Sequence, residues 1–243
     1  MPPTGVLNLA SGRTVRLACP GGPTNLRQAG RPSYRPHHWL SWLASTLSGI
    51  ALCVVNHAIE LPRGFVLDTL ATNLDCATAI APIADGRVLI AQQTGALRVW
   101  KAGQLLETPL LKLHVTDFGE RGLIGMTVHP DFPSTPNLFV LYVTDRPHIH
   151  HVLSRFTVNG DRADPASEQV LLEGDDQSKL GGFQPAGHQG GPLRFGNDGK
   201  IYVAIGEQRA GEPSQKLDTF QGKILRLNSD GSIPEDNPFF NAT

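Results

Sequence analysis

A repeating pattern of short apolar runs and tight turns begins near residue 61 and continues to the end of the chain. The run DGRVLIA at residues 85–91 is matched by DGKIYVA at residues 198–204. An Asp-Gly pair between two such runs is a strong signal for a β-hairpin, and β-branched and aromatic residues bounded by Gly and Pro are typical of strands. The pattern predicts an all-β protein.

The predicted strands fall into three units of similar spacing. Repeats of four short antiparallel strands are typical of β-propeller blades, and propellers usually close with about four to eight blades. We therefore expect a partial propeller of about three blades, the third with only three predicted strands. The strands are Ala77–Ile83, Arg87–Gln92, Ala96–Trp100 and Leu110–Leu113; Leu123–His129, Leu138–Thr144, Val152–Val158 and Gln169–Leu172; and Pro192–Phe195, Lys200–Ile205 and Lys223–Leu227.

The first 60 residues differ in charge from the rest. They carry five arginines and no acidic residue before Glu60, and they contain an apolar run at residues 39–55. A basic, acid-free segment that leads into an apolar run is typical of a secretory leader, which predicts export to the periplasm or the extracellular space. A disordered segment, a buried or amphipathic helix and a membrane anchor are the alternatives. Contact with a membrane is expected only through this segment, if it is not cleaved.

Charge and cysteine content exclude several kinds of function. Lys and Arg number 21 and Asp and Glu 22, so no basic surface for nucleic acid is indicated. The chain has no CxxC or Cys/His zinc spacing, no glycine-rich phosphate loop and no nucleophile elbow. The His148, His150 and His151 cluster is expected to serve a hairpin loop, and no residue of this chain is assigned as a metal ligand.

One titratable side chain stands among glycines, in the run GHQGG at residues 187–191. Glycines allow a flat ligand to approach the backbone closely, and histidine is the side chain best suited to proton abstraction near neutral pH. His188 is therefore either a turn residue or a general base. Glu207 and Gln208 follow a predicted strand, where a strand end could reach the central site. Surface or turn roles are expected for them.

Several ordered motifs give the chain a family resemblance. GERGLIG at residues 119–125, followed by VHPDF at 128–132, resembles the signature of the soluble glucose/sorbosone dehydrogenases, six-bladed propellers that use pyrroloquinoline quinone (PQQ) and calcium. The resemblance covers residues 61–243 as the N-terminal half of such a propeller. Its further matches are DGR at 85–87, GALR at 95–98, HQGG at 188–191, GKILR at 222–226 and DGSIPEDNPF at 230–239.

The resemblance implies a function and a set of site residues. It implies that His188 takes the proton from the anomeric hydroxyl of an aldose while hydride passes to the quinone. It also implies that Glu120 and Gln189 bind the substrate and that His188 and Arg121 contact the cofactor. The alternative for Glu120 and Arg121 is that they pair with each other and shape the loop before a buried strand. The expected partners are a small aldose and an electron acceptor.

Two departures qualify this implication. Gly187 stands where glucose-oxidising members have an acidic residue, and most of the family's PQQ and Ca²⁺ ligands would come after Thr243. We therefore expect that this chain alone neither holds PQQ tightly nor oxidises sugar. A non-catalytic binding propeller, as in hedgehog-interacting proteins, is the main alternative, and a metal-dependent lactonase-type propeller is a more distant one.

Overall fold

The structure, a computed structural model, describes residues 61–180 and 186–241 together with the backbone of two short strands. These two strands, β1 (Val6–Asn8) and β2 (Thr14–Arg16), pair antiparallel with each other. The rest of the predicted leader, including the apolar run at residues 39–55, lies outside the described residues. Among the described residues, no helix is long and apolar enough to cross a membrane.

Three antiparallel sheets follow, in the order in which the sequence predicts them. The first sheet has the order β3-β4-β5, and two short strands share its outer edge by pairing with opposite ends of β5. Pro109, which has no N–H to donate, lies between those two short strands. The five strands are β3 (Ala77–Pro82), β4 (Val88–Gln92), β5 (Ala96–Lys101), β6 (Gln104–Leu105) and β7 (Leu111–Lys112).

The second sheet repeats this arrangement with longer strands. Its order is β8-β9-β10, and its outer edge is again divided between two strands, here separated by a short 3₁₀ helix that begins at Pro165. The elements are β8 (Leu123–Val128), β9 (Asn137–Thr144), β10 (His150–Asn159), β11 (Arg162–Ala163), the 3₁₀ helix Pro165–Ser167 and β12 (Gln169–Glu173).

The third sheet has three strands in the described part of the chain, in the order β13-β14-β15. They are β13 (Gly190–Phe195), β14 (Ile201–Ile205) and β15 (Lys223–Leu227), and two further 3₁₀ helices occupy Gln177–Lys179 and Glu212–Gln215. The all-β, propeller-like architecture predicted from the sequence is confirmed. Two details differ from the prediction. The outer strand of each of the first two sheets is split in two. Strand β10 begins at His150, so the prediction that His150 and His151 serve a hairpin loop is wrong, and both pair with β9.

The core consists of two apolar clusters, one between each pair of neighbouring sheets. Strand β9 contributes to both, because successive side chains of a strand point to opposite faces. Leu138, Val140 and Tyr142 join the cluster shared with the first sheet, whereas Phe139 and Leu141 join the cluster shared with the third. This two-sided burial explains why β9 is apolar at nearly every position.

The first strands of the three sheets lie side by side. The Thr78 hydroxyl on β3 donates to the carbonyl of Leu123 on β8, with an oxygen–oxygen distance of 2.6 Å. On the other side of β8, a Cβ built on Gly125 would overlap the carbonyl oxygen of Gly191, and one on Gly191 would lie 2.6 Å from the carbonyl oxygen of Ile124. The backbones of β8 and β13 therefore touch where neither residue has a side chain.

Arg87, a buried side chain, joins the first sheet to the second. Its guanidinium pairs with Asp85 at 2.6 Å and with Asp161 at 3.1 Å. We expect Arg87→Met to lower the free energy of unfolding by about 2 kcal/mol. This loss is smaller than the loss on breaking a fully buried ion pair, because both carboxylates keep some hydration. Lys101→Met, which removes an exposed partner of Asp161, should cost less than about 1 kcal/mol. Denaturant titration of both variants measures the difference.

The Arg87 contribution should also depend on pH. Hydrogen bonding to Arg87 lowers the pKa of Asp85, and bonding to Lys101 lowers that of Asp161. Because the folded-state pKa values are depressed, the stabilisation is present above the ordinary carboxyl range and is lost as pH falls through the lowered values. The difference in the free energy of unfolding between wild type and Arg87→Met should therefore become smaller in acid. A difference that is constant with pH would contradict an ionic origin.

Candidate active site

His188 lies two residues before the start of β13. It is next to the loop of residues 119–122 (the GERG loop), which leads into the second sheet. Its backbone has a positive φ of +54°, an unusual conformation for a residue other than glycine, and its side chain is 54% exposed. The backbone N of Gln208 donates to the carbonyl of His188 over 3.1 Å, and a Cβ on Gly206 would collide with that same carbonyl. The loop after β14 therefore supports the histidine directly.

Glu207 is the partner of the His188 imidazole. Strands β13 and β14 pair Gly190 with Ile205, which brings the loop after β14 opposite His188. The imidazole Nδ1 of His188 is hydrogen-bonded to Oε1 of Glu207, and the other carboxylate oxygen accepts the backbone N–H of Arg209. The bond to His188 is the main cause that lowers the pKa of Glu207. Glu207 is thus an ionised acceptor at neutral pH, and the ring proton of His188 belongs on Nδ1.

Glu120 reaches His188 from the second sheet. Its carboxylate Oε2 accepts the backbone N–H of His188 over 2.6 Å, and its own backbone N donates to the carbonyl of Ala186 over 2.8 Å. The amide of Gln93 supports this loop from the first sheet by donating to the carbonyls of Gly119 and Arg121. The structure thus brings together His188 and Glu120, which the sequence predicts as site residues, and adds Glu207.

Arg121 and Gln189 differ from what the sequence predicts for them. Both are expected to face a ligand, but they are 5% and 1% exposed. The guanidinium Nε of Arg121 donates to Oε1 of Gln177 over 3.0 Å, and Nε2 of Gln177 donates to Oε1 of Gln189 over 2.9 Å. Burial lowers the pKa of Arg121. Arg121 and Gln189 therefore belong to a buried polar network that joins the GERG loop to the loop of His188.

Three members of that network are not predicted from the sequence: Gln177, Gln208 and His151, each at most 2% exposed. The sequence presents His151 only as part of a histidine cluster. Adjacent residues of a strand face opposite ways, and His151 and His150 accordingly have different partners, the carbonyls of Gln189 and His148. The signal that identifies His151 is a polar residue whose neighbours two positions away, Ile149 and Leu153, are both apolar. Among the described residues, no group of three or more His, Cys, Asp or Glu side chains could hold a metal ion.

Comparison with known proteins decides the family. The family model for glucose/sorbosone dehydrogenases matches residues 74–243, which include every residue of the site above. The chain belongs to the glucose/sorbosone dehydrogenase family. The resemblance predicted from the GERG and HQGG motifs is confirmed.

Several known proteins are similar to this chain over more than half of its length. The aldose sugar dehydrogenase YliI of Escherichia coli is 30% identical over 200 residues, which are 77% of this chain and 50% of that protein. Quinoprotein glucose dehydrogenase B of Acinetobacter calcoaceticus is 33% identical over 149 residues, 51% of this chain and 30% of that protein. The hedgehog-interacting protein of Mus musculus is 29% identical over 185 residues, 65% of this chain and 25% of that protein.

Solved structures of the family share the fold. A glucose dehydrogenase from Thermus thermophilus matches with a TM-score of 0.64 and 31% identity, covering 71% of this chain and 50% of that one. The PQQ-bound aldose sugar dehydrogenase of Streptomyces coelicolor matches with a TM-score of 0.61 and 25% identity, again over 71% and 50%. The chain spans half or less of the length of each of these relatives.

Proposed function

We propose that residues 61–243 form the His188-bearing part of an active site that oxidises an aldose at its anomeric carbon with PQQ as the oxidant. The observation that carries this proposal is the pairing of exposed His188 with ionised Glu207 at the glycine-rich edge of the third sheet. Membership of a family whose relatives include an aldose sugar dehydrogenase and a quinoprotein glucose dehydrogenase supports the same chemistry.

His188 is suited to act as the base. Because Nδ1 carries the proton that is donated to Glu207, the lone pair of Nε2 is free to accept the proton of the anomeric hydroxyl. Once the ring is protonated, the negative charge of Glu207 stabilises the imidazolium, as the aspartate of a catalytic triad does. The sugar loses its hydroxyl proton to His188 and the C1 hydrogen as hydride, which leaves a lactone.

PQQ would supply the acceptor for that hydride, and its reoxidation would require an external electron acceptor. Part of what a flat quinone with three carboxylates needs is present. The space that a Cβ on Gly187 would take is filled by the Arg209 guanidinium, whose Nε would lie 2.8 Å from it. Arg209, whose side chain is exposed, would supply one cation to the carboxylates. Calcium is part of the proposal through the family alone.

Glu120 is suited to orient the sugar. Its Oε2 is held by the backbone N–H of His188, so the carboxylate has a defined place next to the base. The other carboxylate oxygen can accept a hydrogen bond from a sugar hydroxyl. With the predicted leader, the oxidation would take place outside the cytoplasm.

A chimera tests the proposal. Residues 74–243 are joined to the part of E. coli aldose sugar dehydrogenase that this chain does not match, and dye-coupled aldose oxidation is measured with PQQ and Ca²⁺. We expect turnover from the chimera and none from the 243-residue chain alone. Robust turnover by the chain alone would contradict the expectation that further PQQ ligands are needed. A folded chimera that binds PQQ but is inactive would contradict the catalytic assignment.

A second candidate function is a non-catalytic binding propeller. The likeness to the hedgehog-interacting protein of Mus musculus favours it, and that match extends over 185 residues. PQQ binding by the same chimera distinguishes the two functions, because a binding propeller requires neither the cofactor nor a general base. Absence of PQQ binding by a folded chimera, seen as no change in quinone absorbance, would favour the binding module.

A further inference from the structure

His151 contacts the residues that follow His188 and Glu207 although it belongs to a different sheet. It is the second residue of β10 and is 2% exposed. Its ring Nε2 lies 3.0 Å from the backbone carbonyl oxygen of Gln189, the residue after His188. Its ring Nδ1 lies 3.1 Å from Nε2 of Gln208, the residue after Glu207. One imidazole of the second sheet thus contacts both loops of the third sheet that carry the pair.

The partners of His151 determine its protonation. A carbonyl oxygen can only accept, so Nε2 of His151 carries a proton and donates it to Gln189. The amide nitrogen of Gln208 can only donate, so Nδ1 must keep its lone pair. The amide of Gln177 approaches the same Nδ1 at 3.4 Å. With the Gln208 amide nitrogen facing Nδ1, the neutral ring with its proton on Nε2 satisfies both contacts.

We propose that His151 is a positioning residue that sets the separation of the His188 imidazole from the Glu207 carboxylate. It does so through two hydrogen bonds, one to Gln189, which follows His188, and one to Gln208, which follows Glu207. The role of the pair as base and acceptor rests on the proposed function, whereas the positioning itself does not.

The electrostatic surroundings keep His151 neutral. Burial is the largest effect and lowers its pKa to about 4. The hydrogen bond to Gln189 acts in the opposite direction, the charges of His150 and Arg121 act with burial, and Asp175 opposes them. Because a protonated Nδ1 would face the amide hydrogens of Gln208, the neutral ring is required for the contact to survive. The positioning contact should therefore hold across the neutral range.

The test follows the carboxyl group of Glu207 by ¹³C NMR in the whole chain, without cofactor or substrate. In wild type, Glu207 should titrate below its ordinary value because His188 donates to it. In His151→Phe, which keeps the ring size but makes no hydrogen bonds, the two loops lose their common anchor. We expect the Glu207 midpoint to rise toward the ordinary value of 4.5. His151→Gln, with an amide that can donate and accept, should restore part of the depression.

His150→Phe is the matched control. His150 precedes His151 on β10 and is equally buried, but its Nδ1 bonds to the carbonyl of His148 on its own segment. This control should lose stability and leave the Glu207 midpoint unchanged. If His151→Phe does not fold, Gln208→Met decides, because it removes one of the two links and should shift the midpoint in the same direction.

The proposal is overturned if the Glu207 midpoint stays at its wild-type value in His151→Phe, or in Gln208→Met where that variant decides. It is equally overturned if His150→Phe moves the midpoint as far. These readouts require no turnover. If the chimera is inactive but the Glu207 midpoint shifts in His151→Phe, the proposed function is rejected and the positioning role stands. If the chimera is active but the midpoint does not shift, the positioning role is rejected and the proposed function stands.

Discussion

Replacing His188 by glutamine in the chimera is expected to lower kcat for aldose oxidation by about 10²–10⁴-fold, the usual loss when a general base is removed. Glutamine can form a hydrogen bond with Glu207 but has no lone pair basic enough to take the sugar proton near neutral pH. KM should change much less, because the proton transfer occurs only in the transition state. Initial dye-coupled rates at several sugar concentrations separate the two constants.

His129→Gln is the control for that loss. His129 also lies close to a carboxylate, with Nδ1 3.8 Å from Asp131, but it follows the opposite end of β8 from Glu120. Six strand residues at roughly 3.3 Å each place it about 20 Å from the site. His129→Gln should therefore keep wild-type turnover. If His188→Gln retained more than about a tenth of wild-type kcat, His188 would not be the base.

Gly125→Ala is expected to be among the most destabilising substitutions in the chain. The added methyl would overlap the carbonyl oxygen of Gly191, so the backbones of β8 and β13 would have to separate. Backbone on both sides cannot rotate away as a flexible side chain can. We expect a loss of about 3 kcal/mol or more in the free energy of unfolding, at the upper end for overpacking. Denaturant unfolding followed by circular dichroism measures it.

Gly199→Ala separates steric overlap from backbone strain. Gly199 has a positive φ of +71° and nothing within 4 Å of a built Cβ, so its substitution should cost about 1–2 kcal/mol through strain alone. Gly125 is not in the left-handed region, so an alanine there suffers from the contact and not from its own conformation. Equal losses in the free energy of unfolding for the two variants would mean that the backbones of β8 and β13 are not in contact at Gly125 and Gly191.

Local pattern accounts for the strands but not for the partner of His188. The Asp-Gly pair at residues 198–199 correctly predicts the hairpin of β13 and β14. The sequence nevertheless assigns Glu207 a surface or turn role. A register shift between Gly190 and Leu193 decides which residue of the loop after β14 comes opposite His188. A shift of one residue changes the facing partner, and the sequence gives no sign of it.

The buried network is equally hidden from local patterns. The family resemblance implies a ligand contact for Arg121 and for Gln189, yet both are buried. Their partner Gln177 lies on a short 3₁₀ helix after β12, 56 residues from Arg121 and 12 from Gln189. No periodicity predicts such a contact, because it depends on how two twisted sheets pack against each other.

The sequence by itself determined the all-β class, the three repeated sheets, the family and the glycine-framed His188, because these depend on side-chain alternation, turn residues and contiguous motifs. The tertiary structure decided what surrounds that histidine. It paired His188 with Glu207 across a hairpin and brought the Glu120 carboxylate to the backbone N–H of His188. It also placed His151 in hydrogen-bond contact with both loops. Contacts of this kind join residues that are distant in the chain, and their geometry is set by the packing of neighbouring sheets.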